Sequence, residues 1–554
     1  MSPRPLLHGP EILAGGARFH VWAPLLESLR IRTLGTDFPM ARDDGGWWSV
    51  EVPGAGHGTP YQLVLPGGRL RPDPASRDQP EGVHGPSRLF DPGRHAWRHG
   101  FGGLAREELV FYELHVGAFT AAGTLDAAAE RLPDLADLGV TCVELMPLQP
   151  FPGARNWGYD GVQPWAVHAA YGGPAALQRF VDAAHGAGLA VCLDVVYNHL
   201  GPEGNYTGEL GPYFTSRHRS PWGDGLDFDG PGAGPVRELM IGAALQWVRD
   251  FGVDALRLDA THAIQDDSPT PLVAELCQRV AEQARRQGRR VHVVAEDDRN
   301  LRRLLDPPPE GWGVSAVWAD ELHHALHALV TGERNRFLGD YGTPDAVVRA
   351  LQEGWVYQGQ RSAYRGRPHG TSARGLPPSC FVTCLQNHDQ IGNRPHGERL
   401  ASLVPPDALY PLAALVLLGA GLPLVFMGEE YGETRPFLYF TSHGNPALAR
   451  AVSEGRRTEF ITAGAGVVPD PQDPETFALS RPAHRRDGEH GRLREHYRTL
   501  LALRRKHRLA QAWPRVTAEE RLFTVRHPGL ELRANLSGAP AAELPAWGWS
   551  VREA

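Results

Sequence analysis

The chain has 554 residues, of which 42% are hydrophobic and 22% charged, and its formal net charge is −8. Such a length predicts several domains, fewer if one is a barrel of roughly 250 residues or more. The modest negative charge points away from a nucleic-acid partner and a polybasic membrane patch, and no window reaches the ~20 apolar residues of a membrane span.

The first residues, Met1 to Gly16, carry no sustained apolar stretch, so the expected location is cytoplasmic. Residues 1–98 hold short alternating runs, such as 18–22 and 61–65, separated by Gly and Pro, and predict an N-terminal β-sandwich. Beyond Phe111 apolar strands alternate with helical windows, the pattern of a parallel βα architecture. Strands are predicted at 110–115, 140–147, 190–197, 253–259, 291–296, 314–318, 381–387 and 422–427, with amphipathic helices such as 174–185 and 272–286 between them. Eight such strands predict a (β/α)8 barrel over 99–485.

A loop inserted at about 200–235 carries Tyr206, Tyr213, Phe214, Trp222 and Phe228; long aromatic loops in compact domains shape binding sites. An arginine-rich helix at 493–507 and strands at 522–526 and 530–534 predict a small C-terminal β-domain, 486–554. Of the five cysteines, Cys142 and Cys192 fall inside apolar strands and are expected as free buried thiols.

In a barrel the chemistry sits past the C-terminal strand ends. There the sequence places Asp194 and His199, Arg257 and Asp259, Glu296 and Asp297, and His388 and Asp389. Cleaving a glycosidic bond with retention needs two carboxyl groups ~5 to 5.5 Å apart, and Asp259 and Glu296 close neighbouring strands. Arg257 points to the same side as Asp259 and favours its ionised form. A lone Arg-x-Asp is more often a structural ion pair, but four acid-bearing strand ends do not stand alone. Asp194 reads equally as a structural anchor and as a functional group. No His-x-x-x-His or comparable spacing occurs at these ends, so neither a catalytic metal nor a cofactor is expected.

The stretches Asp194-Val-Val-Tyr-Asn-His199, Ala255-Leu-Arg-Leu-Asp-Ala260, Val294-Ala-Glu-Asp297 and Gln386-Asn-His-Asp389 together resemble the conserved regions of the α-amylase superfamily. The resemblance implies Asp259 as nucleophile, Glu296 as proton donor and Asp389 as transition-state stabiliser. It also implies that Arg257, His199 and His388 line the subsite of the cleaved sugar. Tyr159, in Asn156-Trp-Gly-Tyr-Asp160, matches the aromatic platform beneath that sugar, with Asp160, Asp297, Gln390 and Asn393 as further substrate-binding residues beside the motifs. Asn198 matches a calcium-binding position of some amylases, but its loop is too different for that ion to be carried over.

Within the superfamily the chain most resembles the maltooligosyltrehalose trehalohydrolases. The stretches 71–77, 82–87, 257–262 and 295–300 carry that likeness, together with Asp320-Glu-Leu-His-His324 and Thr331-Gly-Glu-Arg334. Glu321 stands where the family more often has Asp. The resemblance implies an immunoglobulin-like, carbohydrate-binding-like sandwich and cleavage of the α-1,4 bond next to the terminal trehalose of maltooligosyl trehalose. It further implies trehalose biosynthesis, with a maltooligosyltrehalose synthase as functional partner. Such specificity needs a trehalose pocket, for which Thr261, His262, Asp320, Glu321, His323 and His324 are the candidates; helix packing is the alternative for the His pair. A glycogen branching enzyme, a debranching enzyme and a non-catalytic glucan-binding protein are the competing functions.

Overall fold

The computed structural model describes residues 7–220, 223–461 and 466–553. Near the N-terminus, two antiparallel sheets face each other. One contains Gly16–Trp22 and Trp47–Pro53, the other Arg30–Thr33 and Pro60–Val64. Burial alternates along Gly16–Trp22, as a sheet with one covered face requires, and Phe19, Val21, Ile31, Val52, Tyr61 and Leu63 form the shared core.

All eight expected barrel strands are present, as Phe111–Leu114, Cys142–Leu145, Ala190–Val195, Ala255–Leu258, His292–Ala295, Ala316–Trp318, Phe381–Cys384 and Leu422–Phe426. They form a closed parallel barrel, sealed where Phe111 pairs with Leu424. Most stop short of the expected C-terminal end, because the chain leaves the ladder as the polar motif begins. Inward positions near the bottom are mostly small: Cys142, Ala190, Cys192, Ala255 and Ala316 share the axis with Phe111, while Trp318 closes its strand above them. All five cysteines are free and buried. Above this layer the interior turns polar, with Glu113 beside Glu144 and Asp194 beside Arg257 in register. Among the described residues no helix is long and apolar enough to cross a membrane.

The loop after the third strand departs from its expected role at Tyr213. It forms a short helix, Thr207–Leu210, and a hairpin of Phe214–Ser220 with Gly223–Leu226. Tyr213 is fully buried, donates its hydroxyl to the Trp22 carbonyl at 3.0 Å and meets the Trp22 ring edge-on at 5.1 Å. Phe228 is buried as well. Tyr213 therefore fastens the sandwich to the barrel instead of lining a cleft, Phe228 lines a small pocket with Asn198 and Ile264, and Trp222 lies outside the described residues.

The arginine-rich helix is Gly488–His507, and it packs against helices Leu409–Leu417 and Leu132–Leu138. A four-stranded antiparallel sheet follows from Arg515 to Glu553. Arg504, buried on that helix, donates to the carbonyls of Leu417 at 3.1 Å, Gly419 at 2.6 Å and Gly421. It thereby satisfies the chain end that leads into the eighth strand. A buried acceptor left without its donor costs ~1–3 kcal/mol, so Arg504→Met is expected to lower the melting temperature by several degrees. The kcat of the protein that remains folded should stay near wild type, which thermal unfolding and residual-activity assays check together.

Candidate active site

Strand alternation aims the acids inward. Ala255 and Val294 belong to the interior cluster while Leu256, Leu258, Val293 and Ala295 face the helices, so Arg257, Asp259 and Glu296 point to the axis. Arg257 organises the centre. It is 1% exposed, and its guanidinium meets Asp194 at 2.8 Å, Asp259 at 2.9 Å and Glu296 at 2.7 Å. Its flat face lies 4.2 Å from the centroid of the Trp318 ring, an arrangement that an arginine fork suits and a lysine does not.

Asp259 also accepts from Asn198 Nδ2, at 2.7 Å on the carboxylate and 2.8 Å on its carbonyl. Both carboxylate oxygens of Asp259 thus face N–H donors. Glu296 Oε2 accepts from the Ala260 backbone N–H at 2.8 Å. That contact depends on a left-handed turn, φ +38°, at Ala260, a conformation that costs a non-glycine residue ~1–3 kcal/mol. Burial, with the charges of Asp259 and Asp389 adding, pushes the Glu296 carboxyl well above the usual range despite the opposing pull of Arg257. Glu296 is therefore suited to carry a proton at neutral pH.

Asp389 sits in the first turn of a short helix, His388–Gly392. The Asn387 side chain caps it by accepting from the Asp389 and Gln390 backbone N–H groups at 3.0 and 3.1 Å. Asn393 Nδ2 donates to Asp389 Oδ1 at 2.6 Å, and Gln390 Nε2 donates to Asp320 Oδ1 at 2.9 Å. Burial, reinforced by Asp389, raises the Asp320 carboxyl to about 6. The Tyr159 hydroxyl donates to Asp194 at 2.7 Å and meets His388 Nε2 at 2.8 Å, and its ring stacks on His388. His199 Nε2 pairs with the Tyr159 carbonyl at 2.9 Å.

The structure brings together Asp259, Glu296, Asp389, Arg257, Tyr159, His199, His388, Asp320, Gln390 and Asn393. Four expected sugar-binding residues turn into the protein instead. Thr261 is fully buried and donates to the Glu296 carbonyl and to Asp297, each at 2.8 Å; Asp297 is buried too and paired with Arg299 at 2.6 Å. Glu321 spends its carboxylate on the Tyr341 hydroxyl at 2.8 Å and the Val356 N–H at 2.6 Å, which anchors a neighbouring loop. His323 is buried against the Leu385 carbonyl. Each was expected in the pocket because it follows a motif residue; the chain bends after each strand and swings these side chains inward.

Of the remaining candidates, His262 is exposed, 4.0 Å from Asp298. His324 packs against Phe337 and Tyr341 at 4.6 and 5.2 Å. Asp160 accepts from Asn156 at 2.6 Å and stands 3.8 Å from His443. Away from the centre, His218, Asp229 and Asp267 bring one ligand atom each within 4.8 Å of one another, but Asp229 is already ion-paired with Arg217. Reading the sequence missed Glu113 and Trp318. Glu113 stands in the middle of an apolar strand, where an acid is costly unless it has a partner, and that position is the signal that would have found it.

Comparison with known proteins agrees with this architecture. The model of the alpha amylase catalytic domain matches residues 91–220. A malto-oligosyltrehalose trehalohydrolase from Rhizobium is 45% identical over 89% of this chain and 85% of its own length. Its counterpart from Saccharolobus solfataricus is 40% identical over 91% and 87%. A crystal structure from Salmonella typhimurium, assigned to alpha amylase, superposes with a TM-score of 0.92 at 39% identity over 98% of this chain and 99% of its own. On the strength of the two named relatives, this chain belongs to the malto-oligosyltrehalose trehalohydrolase family.

Proposed function

We propose that this chain hydrolyses the α-1,4-glucosidic bond next to the terminal trehalose of maltooligosyl trehalose, releasing trehalose and a shorter maltooligosaccharide with retained configuration. The observation that carries the chemistry is a single buried guanidinium bonded to both Asp259 and Glu296. It limits how far apart the two carboxyl groups stand, which supports the ~5 to 5.5 Å spacing of a retaining pair.

In the first step Asp259 attacks the anomeric carbon while Glu296 gives its proton to the departing glycosidic oxygen. In the second Glu296 takes a proton from water, whose oxygen displaces Asp259 and restores the α-anomer. Asp389, steadied by Asn393, binds hydroxyls of the distorted sugar, and Tyr159 and His388 form its platform. A maltooligosyltrehalose synthase would supply the substrate. Incubation with maltooligosyl trehalose and chromatography of the products tests the reading. Free trehalose supports it, and new branch points on a glucan overturn it. Proton NMR should show the α-anomer of the maltooligosaccharide first; an initial β-anomer excludes the double displacement.

Specificity is assigned to Asp320, which Gln390 contacts, with His262 and His324 as further candidates on the acceptor side. A hydrogen bond to a charged group is worth ~1.5–3 kcal/mol, or roughly ten- to hundredfold in rate. Asp320→Ala is therefore expected to reduce kcat/KM on maltooligosyl trehalose by that factor more than on an equally long maltooligosaccharide. Equal losses on both substrates would move the trehalose pocket elsewhere.

A further inference from the structure

Glu113 lies on the first strand, remote in sequence from every motif, and its side chain is 1% exposed. Its Oε1 meets His388 Nδ1 at 2.5 Å, and its Oε2 accepts the His388 backbone N–H at 3.0 Å. The other ring nitrogen, Nε2, faces the Tyr159 hydroxyl, which gives its hydrogen to Asp194. Asp194 is itself held by Arg257, and an ionised carboxylate has no proton to offer in return. The phenol oxygen is therefore left to accept, so Nε2 must donate. Nδ1 must donate as well, because Glu113 presents only acceptors once its carboxylate is ionised. Both ring nitrogens carry hydrogen, and the ring is an imidazolium.

From this geometry we propose that Glu113 is a positioning residue for the hydrolysis, one that holds His388 as a cation and thereby fixes Tyr159, Asp194 and Arg257 beneath the reacting sugar. The chain of contacts runs without a gap from the first strand to Asp259 and Glu296. It rests on the assignment of those two as the catalytic pair.

The charges around His388 favour the cation on balance, although Arg257 and His115 oppose it. Glu113 and His115 face it from the first strand, Glu144 from the second, Asp194 from the third and Arg257 from the fourth, with Asp389 on its own segment. The Trp157 and Trp318 rings close two sides at 5.4 and 6.1 Å. Burial alone would lower the imidazole, but the charge and hydrogen bond of Glu113, with Asp389 adding, lift it to about 9. A cation at this position makes its hydrogen bonds to Glu113 and to the Tyr159 hydroxyl charge-assisted, each about twice as strong as a neutral one.

In Glu113→Gln one acceptor remains for the backbone N–H, and the amide turns donors toward Nδ1, which forces a neutral ring. With its charge partner gone, burial should carry the His388 pKa below its ordinary 6.5. The alkaline limb of kcat/KM should then fall to that range. The loss should be ~10- to 100-fold at pH 8, smaller at pH 5.5, and carried more by kcat than by KM. Glu113→Asp, which keeps the charge, should recover part of the activity and the alkaline limb. NMR of labelled histidine, with His388 assigned by its own substitution, should read an imidazolium at pH 7.5 in the wild type and a neutral ring in Glu113→Gln. A neutral His388 in the wild type overturns the proposal, and that measurement stands even if Glu113→Gln does not fold. So does equal loss in both variants at every pH, which would mark Glu113 as packing alone. If instead the catalytic pair were misassigned, the ring would still titrate as described while the rates ceased to follow it, so the two failures are distinct.

Discussion

Asp259→Ala and Glu296→Gln are each expected to lower kcat on the order of ten-thousandfold or more, the scale seen when one member of a concerted catalytic set is removed. The two losses should differ in kind. Without Asp259 no glycosyl intermediate forms, and no change of leaving group restores it. Without the Glu296 proton, the first step recovers for an activated substrate whose leaving group departs unprotonated, and the intermediate then accumulates because no base activates water. Folding should survive in both. Arg257 keeps two of its three carboxylate partners when Asp259 is removed, and glutamine retains an acceptor for the Ala260 N–H. Near-wild-type turnover in either variant, with circular dichroism unchanged, would show that the pair is misassigned.

Arg257→Met should be the most damaging single change to the fold of the site. It leaves Asp194, Asp259 and Glu296 close together with no cation among them. Breaking a buried ion pair from one side costs ~3–5 kcal/mol. The sign with pH follows from the carboxylates. Burial already lifts Asp194 to about 6, with the charge of Arg257 holding it down and that of Asp259 pushing it further up; Glu296 is raised in the same way. Removing Arg257 lets both rise further. An acid whose folded pKa exceeds its unfolded value loses stability as pH rises through the folded pKa. The deficit in melting temperature should therefore be largest at pH 7–8 and shrink toward acid pH. The alkaline limb of kcat/KM should move upward, since Glu296 must carry a proton and its carboxyl rises further without Arg257. A variant with unchanged melting and an unchanged profile would mean that Arg257 is dispensable.

The barrel was legible because its strands are short apolar runs, four of which end in a polar motif, and such a boundary is visible in a one-dimensional pattern. The placement of Asp259, Glu296 and Asp389 at the strand ends was legible for the same reason. What failed was the step after each strand. Thr261, Asp297 and Glu321 follow directly on motif residues, yet they are spent on bonds within the protein. Their direction is set by how the chain turns, as at Ala260, whose left-handed backbone has no signature such as a glycine to announce it. Tyr213 misled in another way: composition says that a loop is aromatic but not whether its rings face a cleft or a second sheet. Glu113 is the opposite case, an acid whose isolation within an apolar strand was itself the clue.

The seal between Phe111 and Leu424 has a meaning for how the molecule is made. A ribosome adds ~5–20 residues per second, so about 15–60 s elapse between the emergence of the first barrel strand and that of the eighth. The N-terminal sandwich can mature in that interval, but the growing βα array keeps two open edges throughout, and its buried acids wait without Arg257 or His388 as partners until each is translated. Birth of the enzyme is therefore a race between synthesis and edge-to-edge association, in which slow codons ahead of the last strand or a shortage of chaperones would reduce yield without touching the finished catalyst.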